Sequence, residues 1–458
     1  MLRRLLYHSA VYGVTVALGR LLNWLLTPLY VHRLRVEDFG RLSELYSWIV
    51  FGLIAAGMGM ETAYLRFGGG FWRMLRLMAI GGAVLAVVLS IAAYFLAPRL
   101  GYAGAEYLLW LTIAIWSVDA WGSFALAHQR AIGAPMRFAI IQLSHITILL
   151  LLNLWGVGIQ GYGLGFILGA NLLASLWKLG WALRYAPPPT QPTPPEVPSD
   201  LGLLRYGITL SFMGILGAMN EVLDRVLLAR YDLTQTAIYG AAYRVAMALA
   251  LFVQAYRQAG EPFLLKEQRG NRSFYEKSWI LYHTIALSGV FLLSLWAKPI
   301  VSTTWGGLLP KPLFPAHYHQ GLTIVPVLLW ANLFAGSLIQ ASVWYKLRSL
   351  PYQGVIITAV GACITWLGNL YGIPRYGYIA CAWTTLLSYG VMVGISLAWG
   401  RYYGESAFRM LPLLPSMMVA ALPTFVKEIN PLLFSIVGLG AIGGWSYFLL
   451  RKLRFSVS

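Results

Sequence analysis

The feature that most constrains this chain is a rhythm of apolar runs. Fourteen of them follow one another, at 5–31, 41–66, 75–97, 105–127, 137–158, 162–184, 203–230, 237–262, 278–297, 320–345, 352–373, 377–399, 410–426 and 432–450. A helix rises about 1.5 Å per residue, so roughly 20 residues cross a hydrocarbon core of about 30 Å. Inside that core no water is available to the backbone, and a helix is the form in which such a run satisfies its own N–H and C=O groups. The expected fold is therefore an all-α polytopic membrane protein with about 14 transmembrane helices. Composition agrees. Charged residues make up 11% of the chain and hydrophobic ones 59%, where a soluble domain carries about 25% charged residues.

The formal net charge of +18 does not make a nucleic-acid patch, because the basic residues lie mostly between apolar runs. Their distribution sets orientation instead, since lysine and arginine resist translocation. With a cytoplasmic N-terminus, 21 of the 34 lie in inner segments, 9 in outer segments and 4 (Arg20, Lys178, Arg225 and Arg244) within spans. That bias favours both termini inside. Arg3 and Arg4 precede the first run, which no small-residue cleavage site closes, so it is expected to be a retained span. Cys363 and Cys381 fall in apolar segments at no metal-binding or disulfide spacing and read as packing residues.

One segment breaks the rhythm. Ala186 to Asp200, APPPTQPTPPEVPSD, is a proline-rich tether, extended and semi-rigid, with Ser199 and Asp200 placed to cap the next helix. Similar punctuation recurs on either side of it. Arg130 precedes Pro135 by five residues and Tyr162-Gly163 follows, while Lys346 precedes Pro351 by five and Tyr376-Gly377 follows. Phe39-Gly40 after the first span corresponds to Tyr239-Gly240 after the seventh. The simplest account is a parallel pseudo-repeat. It comprises an N-lobe at 1–185 (spans 1–6), a cytoplasmic tether at 186–200, a C-lobe at 201–400 (spans 7–12), and two appended helices with a tail at 401–458.

Polar side chains at membrane depth cost several kcal/mol and normally face protein or a water-filled cavity. Span 1 carries Arg20, Asn23 and Thr27 on one stripe; span 2 ends with Glu61 and Arg66; span 4 holds Asp119. Span 7 puts Gly217, Asn220, Glu221 and Asp224 at i, i+3, i+4 and i+7, hence on one face, with Arg225 beside them. Span 8 carries Arg244, Gln254 and Arg257, with Glu261 near its inner end. Asp224 and Arg244 lie at similar depth, which allows a cross-helix ion pair; Glu221 with Arg225, at i, i+4, is a second option. Such pairs would either tie helices together or work in transport. Arg20 has no evident partner in its own helix, and an always-charged guanidinium fork suits a phosphate. The histidines are scattered, and His317 with His319 reads as an ordinary loop pair. No phosphate-binding glycine motif for ATP appears, and no cofactor is implied beyond a coupling ion, H+ or Na+.

The stretch DRVLLAR…IYGAAYR, from Asp224 to Arg244, resembles the seventh-to-eighth helix signature of bacterial polysaccharide-exporting flippases. These belong to the multidrug/oligosaccharidyl-lipid/polysaccharide exporter superfamily. TPLYVHRLRVEDFG at 27–40, GMETAYLRF at 59–67, Asp119 before AHQRA, QAYRQAGEPF at 254–263, YHQGLTIVP at 318–326 and VWYKL at 343–347 agree in order and spacing with its O-antigen (lipopolysaccharide) branch. The resemblance covers spans 1 to 12; the long proline tether and the last two spans depart from it. It implies two six-helix lobes around a cavity lined by spans 1, 2, 7 and 8, in the bacterial inner membrane. It also implies translocation of an undecaprenyl-pyrophosphate-linked oligosaccharide from the cytoplasmic to the periplasmic leaflet, as a transporter and not an enzyme. Expected partners are that lipid-linked substrate, membrane lipids and polysaccharide polymerase machinery, with no nucleic acid.

In that reading Arg20, Asn23, Arg66, Asn220, Arg244, Gln254 and Arg257 bind the anionic substrate. Glu61, Asp119, Glu221, Asp224, Arg225 and Glu261 serve ion coupling or gating, with substrate attraction concentrated in the first lobe and coupling in the second. A lipid II flippase or a multidrug exporter of the same superfamily is the alternative, although the basic embedded residues argue against a cationic cargo. A membrane sugar polymerase or ligase would be expected to carry a large catalytic outer loop. The longest here, about 298 to 319, has no acid/base pair at a telling spacing.

Overall fold

In the computed structural model the described residues are 2–67, 70–188, 197–266, 272–304, 311–348, 350–404, 408–425 and 430–455. Every regular element among them is a helix. Their contacts divide the chain into two compact units, Met1–Ala237 and Ile238–Ser458. Twelve described helices are long and apolar enough to cross a membrane, or thirteen with one bent pair.

The first unit opens with α1 (Leu2–Trp24) and α2 (Leu26–Arg33). The break between them has a local cause: Pro28 has no N–H to give the carbonyl four residues back, which belongs to Trp24. Next come α3 (Val36–Gly57) and α4 (Met60–Phe67), bent by 43° across the two residues between them. Met58 takes φ 46° and Gly59 φ 62°, so the helix ends in a left-handed turn carried partly by a non-glycine residue. Helices α5 (Phe71–Leu96), α6 (Glu106–Ala131), α7 (Pro135–Asn153, running into a π-turn at Leu154–Ile159) and α8 (Leu164–Arg184) complete the part before the tether. After it, Ser199 caps α9 (Asp200–Tyr231) by accepting the Gly202 N–H at 3.3 Å. The middle of the tether lies outside the described residues; its start is held by the Trp72 indole, which donates to the Pro187 carbonyl at 2.7 Å.

Packing inside this unit is close. Helix α6 lies against α8, α3 and α5, α7 against α1 and α8, and α9 along α3. Where α9 crosses the α3–α4 bend, a Cβ on Gly207 would stand 2.0 Å from the Met58 carbonyl oxygen, so only glycine lets the two backbones touch. A core of Met60, Tyr64, Phe71, Met74, Phe124 and Phe138 fills the space between α4, α5, α6 and α7. On α5, Val84, Val87, Val88, Ile91 and Phe95 are exposed, the face a helix turns to lipid.

The second unit contains most of α10 (Leu233–Lys266), then α11 (Arg272–Ser302), a 3₁₀ turn at Ala316–Ile324, α12 (Val325–Ala341), α13 (Val343–Leu347), α14 (Pro351–Tyr376) and α15 (Tyr378–Tyr402). It ends with α16 (Leu414–Phe425) and α17 (Pro431–Phe455). The punctuation noted in the sequence falls at matching breaks. Pro135 opens α7 and Pro351 opens α14, each in the first turn, while Gly163 and Gly377 cap α8 and α15. The run expected as a span at 410–426 forms a shorter apolar helix, Leu411–Phe425, with Pro412, Pro415 and Pro423 in or beside it. Cys381 is buried and Cys363 exposed.

Candidate functional site

Asp119 and Lys178 form a closely enclosed ion pair between α6 and α8. Asp119 sits near the middle of α6 and Lys178 in the last third of α8, six residues before its end, each a lone charge in an apolar stretch. Lys178 Nζ donates to Asp119 Oδ1 at 2.6 Å, with side-chain exposures of 6% and 17%. Gly122, one turn along α6 from Asp119, makes room for the lysine stem: a Cβ there would come 2.9 Å from Lys178 Cε. Facing the pair from α7 is His145, 9% exposed, with both ring nitrogens buried and without a hydrogen-bond partner among the described residues. Trp177 on α8 donates its indole N–H to Ser144 Oγ on α7 at 3.1 Å, so the residues preceding Lys178 and His145 are themselves joined. The sequence reading took Asp119 as a coupling candidate but missed Lys178 and His145 as its neighbours. The available signal was that two lone, opposite charges in apolar spans must each find a counter-ion.

The other named residues fall into separate groups. Glu61 on α4 pairs with Arg130 at the end of α6, and the Arg130 guanidinium stands over the Phe138 ring at 5.9 Å. This ties three helices together at one end of the unit. Arg66 is exposed and lies over two rings, Phe67 at 5.4 Å and Tyr206 of α9 at 5.1 Å. Arg20 and Asn23 on α1 are both exposed. Thr27, on the same stripe, is fully buried.

On α9 the expected polar face divides. Asn220 and Asp224 are 3% and 1% exposed, whereas Glu221 is exposed and forms no ion pair among the described residues. A residue next in sequence to Asn220 is turned by 100° around the helix, which is enough to carry Glu221 off the buried stripe. The expected Glu221–Arg225 pair is therefore not formed. Asp224 Oδ1 accepts the Arg225 backbone N–H at 2.8 Å, Asn220 Nδ2 donates to the Leu216 carbonyl at 3.0 Å, and Arg225 is half-buried. In the second unit, on α10, Arg244 and Gln254 are half-buried and Arg257 is exposed, and the Glu261 side chain lies outside the described residues.

Two further polar clusters escaped the sequence reading. Glu44 on α3 is 3% exposed and accepts from the Tyr102 hydroxyl at 2.8 Å and the Trp48 indole at 3.3 Å; Arg41 lies over the Tyr102 ring at 5.4 Å. Tyr102 sits in the turn between α5 and α6, where burial, with the Glu44 charge beside it, pushes its phenol well above the usual range. In the second unit His283 is fully buried and fully partnered. It donates through Nδ1 to the Trp279 carbonyl at 2.8 Å, and Ser337 Oγ lies 2.9 Å from Nε2. His319 Nε2 donates to the Phe314 carbonyl at 3.0 Å, so the loop pair reads as structural. No group of three or more metal-ligating side chains occurs among the described residues.

No known family profile matches the chain, and no curated protein matches it. The solved structures do. A lipid II flippase, MurJ, in an inward closed conformation superposes with a TM-score of 0.74 at 14% identity, covering 97% of this chain and 99% of that one. An inward-facing multidrug resistance MATE family transporter of the MOP superfamily gives 0.66 at 12% identity, over 85% and 95%. An outward-facing MATE transporter gives 0.57 at 13%, over 88% and 96%. The chain has the MurJ/MATE fold. At these identities the likeness establishes architecture, not cargo.

Proposed function

We propose that the protein is a flippase that moves undecaprenyl-pyrophosphate-linked oligosaccharide repeat units from the cytoplasmic to the periplasmic leaflet by ion-coupled alternating access. The observation that carries this is the end-to-end match to a lipid II flippase, with almost nothing of either chain left over. The basic residues support an anionic cargo. Arg20, with Asn23 one turn away on α1, and Arg66, in the last turn of α4, expose guanidinium and amide groups, as a pyrophosphate and its sugars require. The O-antigen branch, the bacterial inner membrane, the full count of fourteen helices in two lobes and the exchange with polysaccharide polymerase machinery all belong to this proposal.

The MurJ match equally favours lipid II as the cargo, so the test separates the two. Expressed in a strain lacking its O-antigen flippase, the protein restores surface polysaccharide; in a strain depleted of its lipid II flippase, it does not restore growth. The reverse outcome assigns lipid II. Charge reversal by R20E or R244E abolishes the rescue, and normal surface polysaccharide in both variants removes these arginines from the substrate path.

A further inference from the structure

Buried ion pairs inside a membrane protein are common as struts, and a strut leaves nothing unsatisfied. The cluster in the first unit is different. Asp119 and Lys178 satisfy one another, yet His145 stands beside them, nine-tenths buried, with neither ring nitrogen in a hydrogen bond. A neutral imidazole offers one N–H and one lone pair, and at this depth both go unused. The fully partnered His283 of the second unit shows how the same side chain looks when it serves structure alone.

We infer that Asp119, Lys178 and His145 form the coupling-ion site of the first unit and that the ion it takes is a proton. The inference rests on the transporter reading above, because a proton site does work only through a conformational cycle. Geometry selects the ion. The Asp119 carboxylate already holds an ammonium group at 2.6 Å, and the lysine stem fills the space over Gly122, so a metal cation would have to displace a tethered competitor. A proton needs no such vacancy. It enters on the free ring nitrogen of His145, which becomes imidazolium; passed on to an Asp119 oxygen, it leaves Lys178 without a counter-ion and the α6–α8 tie broken. Release to the other side restores the carboxylate and the pair, one proton per turn.

The neighbouring charges are either paired elsewhere or exposed. Lys178 and His145 are the charged groups that act on Asp119, and Lys178 and Asp119 those that act on His145. Of the elements packed around α6, α7 and α8, α3 has Glu44 held by Tyr102 and Trp48, and α4 has Glu61 on Arg130. On α5 Arg73 pairs with Asp200 and Arg76 is exposed; on α7 Arg137 lies over Tyr185; on α1 Arg20 is exposed. Within the triad, Asp119, Lys178 and His145 are the charged groups that act on one another.

The Trp177–Ser144 hydrogen bond supplies a reporter that needs no substrate. Purified protein in nanodiscs is titrated from about pH 4 to 8, a window that brackets the carboxylate and histidine ranges. The emission of Trp177, taken as the difference from W177F, shows a step in the wild type. H145Q shifts that step and D119N/K178M, which removes both charges together and so keeps the fold, abolishes it. In proteoliposomes carrying a fluorescent lipid-linked oligosaccharide, an imposed pH gradient accelerates translocation in the wild type, and the double variant loses the acceleration. A Trp177 titration identical in wild type and double variant overturns the site whether or not any lipid is moved. Acceleration by a sodium gradient and not by a pH gradient overturns the choice of ion. Failure of the wild type to move lipid-linked sugar, with the Trp177 step intact, counts against the proposed cargo and leaves the proton site standing.

Discussion

Asp119 and Lys178 show how a pair can be worth little as a pair and much when broken. Bringing two charges out of water costs nearly what their attraction returns, but a single unmatched charge at that depth has no compensation. D119A and K178M are each expected to lower stability by about 3–5 kcal/mol. The neutral pair D119N/K178M is expected to recover most of that loss, and thermal unfolding in detergent measures all three. Additive losses in the double variant would mean that the two side chains act separately. This is also where sequence reading stopped. Asp119 and Lys178 were each visible as isolated charges in apolar runs, but nothing along the chain says that α8 lies against α6, and the spacing rules that find i, i+4 partners do not reach 59 residues. His145 was harder still, since a lone histidine in an apolar run acquires meaning only from what faces it. Helical spacing grouped Glu221 with Asn220 and Asp224, and of the three Glu221 is exposed while the other two are buried.

At the level of elements, glycine contacts decide how closely helices approach. Gly207 of α9 lies against the Met58 carbonyl, and Gly59 would place its own Cβ 2.6 Å from the Gly207 oxygen. Neither neighbour is a flexible side-chain tip, so a methyl group must push the backbones apart. G207A is expected to cost about 1–3 kcal/mol, the usual scale of overpacking, and to separate α9 from the α3–α4 bend. Loss of a disulfide engineered between those elements, next to an unperturbed one between α6 and α8, would report it; equal cross-linking of both in G207A would show that the contact is slack. Element order and punctuation were legible beforehand because prolines and glycines act on their own backbone: Pro135, Pro351, Gly163 and Gly377 mark helix starts wherever they stand. The bend at Met58–Gly59 was not legible. A methionine in the left-handed region is imposed by packing and has no signature in an apolar run.

For the whole molecule the open question of topology turns on one short helix. Leu411–Phe425 has 15 residues and at 1.5 Å each extends about 22 Å, short of the roughly 30 Å core. By length alone it would dip and return, leaving thirteen crossings and a C-terminus opposite the N-terminus. Charge argues the other way. Arg451, Lys452 and Arg454 close the last helix, and across the chain 21 of the 34 basic residues lie on the side that holds both termini if fourteen segments cross. Leu411, Met418 and Phe425, each more than two-thirds exposed, present an apolar surface suited to lipid, and a bilayer thins locally around a short span at a cost of fractions of a kcal/mol per Å. Translocating three terminal cations costs more than that. Both termini are therefore expected in the cytoplasm: green fluorescent protein fused after Ser458 fluoresces, and alkaline phosphatase at the same point is inactive. An active phosphatase there would make Leu411–Phe425 a re-entrant segment and leave the chain with an odd number of crossings.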